Sequence, residues 1–381
     1  MDLNQAFEEL HFKNYDEAAE LFRQAAESGN PDACDFLVQI HRMGLSSSVT
    51  SKDALEYAIR GYERRSRDGC YNMGTMYRSG FFGRPDFGKA YEFFTEGRGD
   101  LHDIRCSFEL GEMLRLGETG RGPRVDEAVK MYSEAAASGY YPAQFQLARI
   151  YEQAVKDFAV TLEFYRDAAQ KGHVDAMIRL GEIYQKGIRV EADPNEALLW
   201  YRRGADAGSD EAVIKIASLA AAGCADADTD TDALIGRLQS MIGGSKGAEA
   251  LYHLGCLHEL SERQEQATDA FRRSALQGCL PALCRYACRL MDGLGAESDP
   301  VEAFALLQTV RIVASSGAEP ARQYSHLMSA DLMLDTAENK LTDSADLLTD
   351  QQIRRAAELA DEKIGRMFGL SENQPASSVS S

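Results

Sequence analysis

A helix-length phrase recurs along this chain: DEAAELFRQAAESG at 16–29, DEAVKMYSEAAASG at 126–139 and NEALLWYRRGADAG at 195–208. Such a period constrains the fold more than the length of 381 residues does, because repeats share one continuous core. The small residue third in the phrase marks the register. It falls at Ala18, Ala54, Ala90, Ala128, Thr161, Ala197, Ala233, Ala267 and Ala303, in steps of 36, 36, 38, 33, 36, 36, 34 and 36 residues.

A second ladder lies upstream of the phrase and pairs an apolar residue with a small one: Leu37-Val38, Met73-Gly74, Leu110-Gly111, Leu147-Ala148, Leu180-Gly181, Ile216-Ala217, Leu254-Gly255 and Tyr286-Ala287. Each repeat therefore holds two helices, A and B. In helix A the apolar residues keep helical spacing, as in AMIRLGEIY with Ala176, Leu180, Ile183 and Tyr184, and the small residue is expected to admit a neighbouring backbone. Helix B is expected to stop at a left-handed glycine, at 29, 69, 139, 172, 208, 278 and 317. One helix pair cannot bury its apolar face, whereas stacked pairs can, so the expectation is an all-α solenoid.

The unit Ala176 to Gly208, AMIRLGEIYQKGIRVEADPNEALLWYRRGADAG, resembles the Sel-1-like repeats, relatives of the tetratricopeptide repeats. Asp193, Glu196, Ala197, Trp200 and Gly208 fit the family pattern, and Met73 to Phe94 and Met291 to Leu307 carry the same long loop between helices. The resemblance implies a right-handed superhelix of stacked helix-turn-helix repeats, about nine of them over residues 1–317, with C-terminal capping helices over 318–370. At LLTDQQIRRAAELADEKIG, Thr349 and Gln352 form a capping-box pattern, and Ile353, Ala357, Ala360 and Ile364 form an apolar stripe. The tail over 371–381 is expected to be disordered.

Composition excludes several kinds of partner. With 41 Lys plus Arg against 60 Asp plus Glu the formal charge is -19, a field that repels phosphate backbones and anionic lipid surfaces. Neither nucleic-acid binding nor membrane insertion is expected. No export signal is apparent and the 8 cysteines are sparse, so a cytoplasmic protein with reduced thiols is expected.

Three stretches invite chemistry. GETGRGPR at 117–124 lacks the Gly-Lys-Ser/Thr ending of a phosphate loop and lies between helices, so it reads as an elongated loop. Asp226, Asp228, Asp230 and Asp232 alternate like the start of a calcium loop but lack its glycine and final glutamate, which favours a solvated loop capping the next helix. Cys256, Cys279, Cys284 and Cys288, with His253 and His258, have no CxxC spacing and read as packing residues. No cofactor and no enzymatic activity is expected. A zinc-dependent enzyme built on these thiols is the remote alternative.

Under tetratricopeptide geometry, the inner groove is lined by helix A positions two before, two after and five after the ladder residue. The first column contains Tyr71, Phe108 and Phe145, the second Arg149, and the third Arg42, Arg78 and Arg115. Three arginines in register suggest a track that grips carboxylates, with the aromatics as anchors. Arg179, with Lys215, His253 and Arg285 in its column, would extend it. The expected role is a non-enzymatic adaptor or scaffold that binds an extended or acidic segment of another protein. The alternative is a dedicated neutraliser of the immunity type, or a secreted effector gripping one target.

Overall fold

The computed structural model describes residues 3–154, 158–224, 230–316, 319–345 and 347–368, and every regular element among them is an α-helix. The chain divides into two compact units, residues 1–176 and 177–381.

Unit 1 is built from antiparallel pairs. They are α1 (Asn4–His11) with α2 (Tyr15–Glu27), α3 (Pro31–Arg42) with α4 (Ser51–Glu63), α5 (Gly69–Ser79) with α6 (Phe87–Asp100), α7 (Ile104–Leu116) with α8 (Val125–Ala137), and α9 (Tyr141–Gln153) with α10 (Phe158–Gln170). Helices α2, α4, α6 and α8 each also pack on the A helix that follows, the nearest-neighbour stacking of a solenoid. Local signals start the helices. Asn30 accepts from the backbone N–H groups of Asp32 and Ala33 with Pro31 in the first turn, and Thr50 and Asp53 form a capping box.

Unit 2 opens within α11 (Val174–Lys186), which precedes α12 (Pro194–Asp206). The pairs α13 (Asp210–Ala221) with α14 (Thr231–Ser240), α15 (Gly247–Leu260) with α16 (Gln264–Leu276), and α17 (Leu280–Asp292) with α18 (Pro300–Ser315) follow. The chain then continues through α19 (Glu319–Gln323), α20 (Ala330–Ala345) and α21 (Asp350–Phe368). Helices α20 and α21 both pack on α18. Met333, Ala337 and Ile364 join the core that holds Leu306, Leu307 and Val310, while Ala356 meets Phe304 and Ala305. Thr349 and Gln352 exchange bonds at the start of α21, and in its stripe Ala356 is buried while Ala357 is only half-buried. The expected tail at 371–381 lies outside the described residues.

Where the small residue of an A helix is glycine, it has a more specific job than admitting a backbone. What enters the notch is an aromatic ring from the paired B helix. A Cβ on Gly74 would lie 2.5 Å from the Phe94 ring, on Gly111 2.7 Å from Tyr132, on Gly181 2.3 Å from Tyr201, and on Gly255 2.6 Å from Phe271. The buried tyrosines then donate their hydroxyls to the A helix, Tyr132 to Glu112 at 2.6 Å and Tyr201 to Gln185 at 2.8 Å. These rings lock the two helices of a pair face to face, and the hydrogen bonds offset the cost of burying the phenol oxygen.

Two register marks depart from expectation. Gly69 does not stop a helix; it begins α5, and the left-handed residue that ends α4 is Arg65 at φ 53°. Gly29, Gly139, Gly172, Gly208 and Gly278 do take positive φ, and position 317 lies outside the described residues. Ala233 is exposed, whereas the other eight markers are fully buried, because α14 turns Leu234 and Ile235 inward instead.

Candidate partner-binding surface

The first groove column does not share one exposure. Its members Asp35, Ile178, Ile214, Tyr252 and Cys284 are buried, and only Tyr71, Phe108 and Phe145, all in unit 1, stay half-exposed. These three belong to a longer strip. Phe108 on α7 meets Tyr140 edge-on at 5.3 Å, Tyr140 lies 6.4 Å from Tyr141, and Tyr141 meets His173 at 5.8 Å. His173 stacks on Phe145 at 4.3 Å. At the other end the guanidiniums of Arg105 and Arg42 lie 4.5 and 5.6 Å from the Tyr71 ring. Burial raises the Tyr71 and Tyr140 phenols, the latter up to about 12, and holds His173 below its ordinary value. The strip is uncharged at neutral pH and rimmed by cations.

The arginine column is brought together but mostly occupied by the chain's own acids. Arg78 forks onto Glu118 at 2.8 and 3.2 Å and also pairs with Glu109. Arg115 pairs with Glu112 at 2.6 Å and donates to the Tyr132 hydroxyl at 3.3 Å. Arg42 is exposed and has no carboxylate partner among the described residues; its contact is the Tyr71 ring. Arg149 lies 5.9 Å from the Phe145 ring and reaches only Gln146, at 3.4 Å. The suggested extension differs in kind. Arg179 and Lys215 both pair with Glu182, at 2.9 and 2.8 Å, and His253 lies inside the core.

Sequence reasoning missed Arg105, Tyr140, Tyr141 and His173. Arg105 is held in place by Asp68 at 3.0 Å and Asp103 at 2.6 Å, and Asp103 also caps α7. Tyr140 and Tyr141 sit at the turn into α9, beside Gly139 and Pro142, where the only signal was two adjacent aromatics at a helix start.

The aspartate and cysteine stretches are structural where described. Asp230 caps α14 by accepting from the Ala233 N–H at 3.0 Å, and Asp232 pairs with Arg263; Asp226 and Asp228 lie outside the described residues. Cys256, Cys279 and Cys284 are buried in the apolar core of unit 2. Among the described residues no set of three or more His, Cys, Asp or Glu side chains is arranged to hold a metal ion. Nor, among them, is any helix long and apolar enough to cross a membrane.

Comparison with known proteins agrees with this architecture. The Sel1 repeat model matches residues 9–30, 67–97, 104–140, 142–173, 174–209 and 280–309. A Sel1 repeat protein from Oxalobacter formigenes is similar at 22% identity and TM-score 0.54, over 63% of this chain and 98% of that one, which shows a shared fold. A protective antigen of uropathogenic Escherichia coli with the same repeat fold aligns at 20% identity over 96% of this chain and 84% of its own, with TM-score 0.44. The immunity protein PA5088 from Pseudomonas aeruginosa aligns at 21% identity over 51% and 75%, with TM-score 0.41. With its stacked helix pairs and ring-filled notches, the chain has the architecture of a Sel1-repeat protein.

Proposed function

We propose that this protein binds one dedicated partner protein and that the aromatic strip of unit 1 seats an extended segment of it. The observation that carries the reading is the strip itself: half-exposed rings in sequence from Tyr71 to His173, with Arg42 and Arg149 uncommitted at its two ends. Aromatic rings and arginine dominate binding energy at protein interfaces, the rings because they combine large contact area with few rotatable bonds and arginine because its planar guanidinium donates forked hydrogen bonds. The helices α3, α5, α7 and α9 that carry the strip are spaced roughly 8–10 Å apart, so it spans some 30 Å, about nine extended residues. The segment that fits has apolar or aromatic side chains along its length and carboxylates near both ends.

The rim of the strip is rigid. Arg105, which lies against the Tyr71 ring, is pinned by Asp68 and Asp103, which supports a single dedicated target over many exchangeable ones, since promiscuous surfaces are built from flexible side chains. Immunity-type neutralisation and effector-type gripping of one target are the narrower forms of this reading. We place the binding in the cytoplasm, where the protein's 8 thiols stay reduced. Affinity capture with the full chain, followed by titration calorimetry on the partner it retains, tests the proposal. Tyr71→Ala with Phe145→Ala should weaken binding by at least about 100-fold. Unchanged affinity in a folded double variant would remove the strip from the interface.

A further inference from the structure

Away from the strip, the two A-to-B loops of adjacent repeats form a cleft of about 780 Å³, between the loop that joins α5 to α6 and the loop that joins α7 to α8. The loops are built alike. Each helix ends on a left-handed glycine, Gly80 and Gly117, and a second positive-φ glycine, Gly83 or Gly120, comes immediately before an arginine, Arg84 or Arg121. The repeat register thus places two equivalent arginines on one cleft, where Arg124 joins them. The loops are tied down from behind. The Asp86 N–H donates to the Tyr77 carbonyl at 2.9 Å, the Arg124 N–H to the Leu114 carbonyl at 2.8 Å, and Glu118 is forked by Arg78.

The charges around the cleft are unequal in availability. Arg84 and Arg121 are exposed and have no carboxylate partner among the described residues, while Arg124 spends its Nη1 on Glu127 and keeps a buried Nε without a hydrogen bond. Of the lining acids, Asp86 is engaged in capping α6 and Glu118 in the Arg78 fork, leaving Glu92. The lining balances three arginines against three acids, but Arg84 and Arg121 stand without an ion pair among the described residues, beside the apolar surfaces of Phe87 and Tyr91.

We propose that this cleft is a second binding site, distinct from the strip, that takes a carboxylate-bearing segment of a protein with apolar side chains between its acids. Guanidiniums engage carboxylates through forked, charge-assisted hydrogen bonds, and the rings accept the apolar neighbours. A phosphate ion fits less well, because it would leave the apolar surfaces of Phe87 and Tyr91 uncovered. The site stands whether or not the strip seats a partner.

The test uses the full chain and a fluorescein-labelled Glu-Leu-Glu-Phe-Glu peptide, read by anisotropy against its Gln counterpart. The acidic peptide should bind with a Kd below about 1 mM, and more tightly than the Gln peptide. Arg84→Ala with Arg121→Ala should weaken it about tenfold or more and flatten the salt dependence, with unchanged melting. Equal binding of the two peptides, or full binding by the double variant, overturns the proposal. If Arg42→Gln alone abolishes binding, the peptide has chosen the strip, and the cleft is refuted while the proposed function stands. Displacement of the peptide by inorganic phosphate near 1 mM would make this a phosphate site and overturn the assigned occupant.

Discussion

His253 sits on α15 with 3% of its surface exposed, and neither ring nitrogen has a hydrogen-bond partner among the described residues. A neutral imidazole carries one donor and one acceptor, and leaving such groups buried and unpaired costs about 1–3 kcal/mol. His253→Leu, of similar volume and good helix propensity, should therefore stabilise unit 2 at pH 7 by an amount of that order. Acid should widen the gap. Burial, opposed by Glu249 and reinforced by His326 and Lys215, pushes the folded-state pKa of His253 down to about 4 from an ordinary 6.5. The native state thus refuses a proton that the unfolded chain accepts, and wild-type stability is lost as pH falls from 6.5 towards 4, by about 3 kcal/mol in all and about 2 by pH 5. The Leu variant lacks this loss. Trp200, the only tryptophan in the chain, is buried in unit 2, so its fluorescence reports the unfolding of that unit in denaturant. A variant less stable than wild type at pH 7, or a difference that does not grow between pH 7 and pH 5, would refute the reasoning.

Asp35 should give unit 1 a pH profile of opposite sign. Burial holds its carboxyl up to about 7, against hydrogen bonds from the Asp68 N–H, Ser66 and Asn72, so stability is full below about 3.8 and is lost as pH rises towards 7, by at most about 4 kcal/mol. Asp35→Asn should flatten that slope in the amide exchange of α3 and α5. Gly181→Ala drives a Cβ to 2.3 Å from the Tyr201 ring and should cost about 1–3 kcal/mol by Trp200 fluorescence, although Ala148 is tolerated at the equivalent place. Arg78→Gln strands Glu109, whose carboxyl burial already raises, and should destabilise unit 1 by about 1–3 kcal/mol while leaving partner affinity intact. Weaker partner binding at unchanged melting temperature would return Arg78 to the interface.

The helix pairs were legible because their signals are local. Apolar spacing, Asp or Asn before Pro at helix starts and glycine after helix B each act within one or two turns, and the marker period counts the pairs. Even the aromatic columns could be read, since a fixed repeat length carries a side chain to the same face of every A helix. The slips are also local in cause. Arg65 proved able to take the left-handed turn expected of Gly69, and α14 rotated by about one residue to bury Leu234 and Ile235 in place of Ala233.

Only the stacking decided which members of those columns remain available. Arg42, Arg78 and Arg115 look equivalent along the chain, but Arg115 pairs with Glu112 of its own helix, while the fates of the other two depend on what other parts of the stack deliver. Glu109 and Glu118 come to Arg78 from 31 and 40 residues away, whereas Arg42 receives a ring. The same holds for the strip, where Tyr140 and His173 enter from turns whose placement depends on the packing of α8 on α9 and on the end of α10. Backbone periodicity is a short-range property that each repeat can satisfy alone. Charge pairing and side-chain exposure are properties of neighbours, and those neighbours exist only once the pairs have stacked.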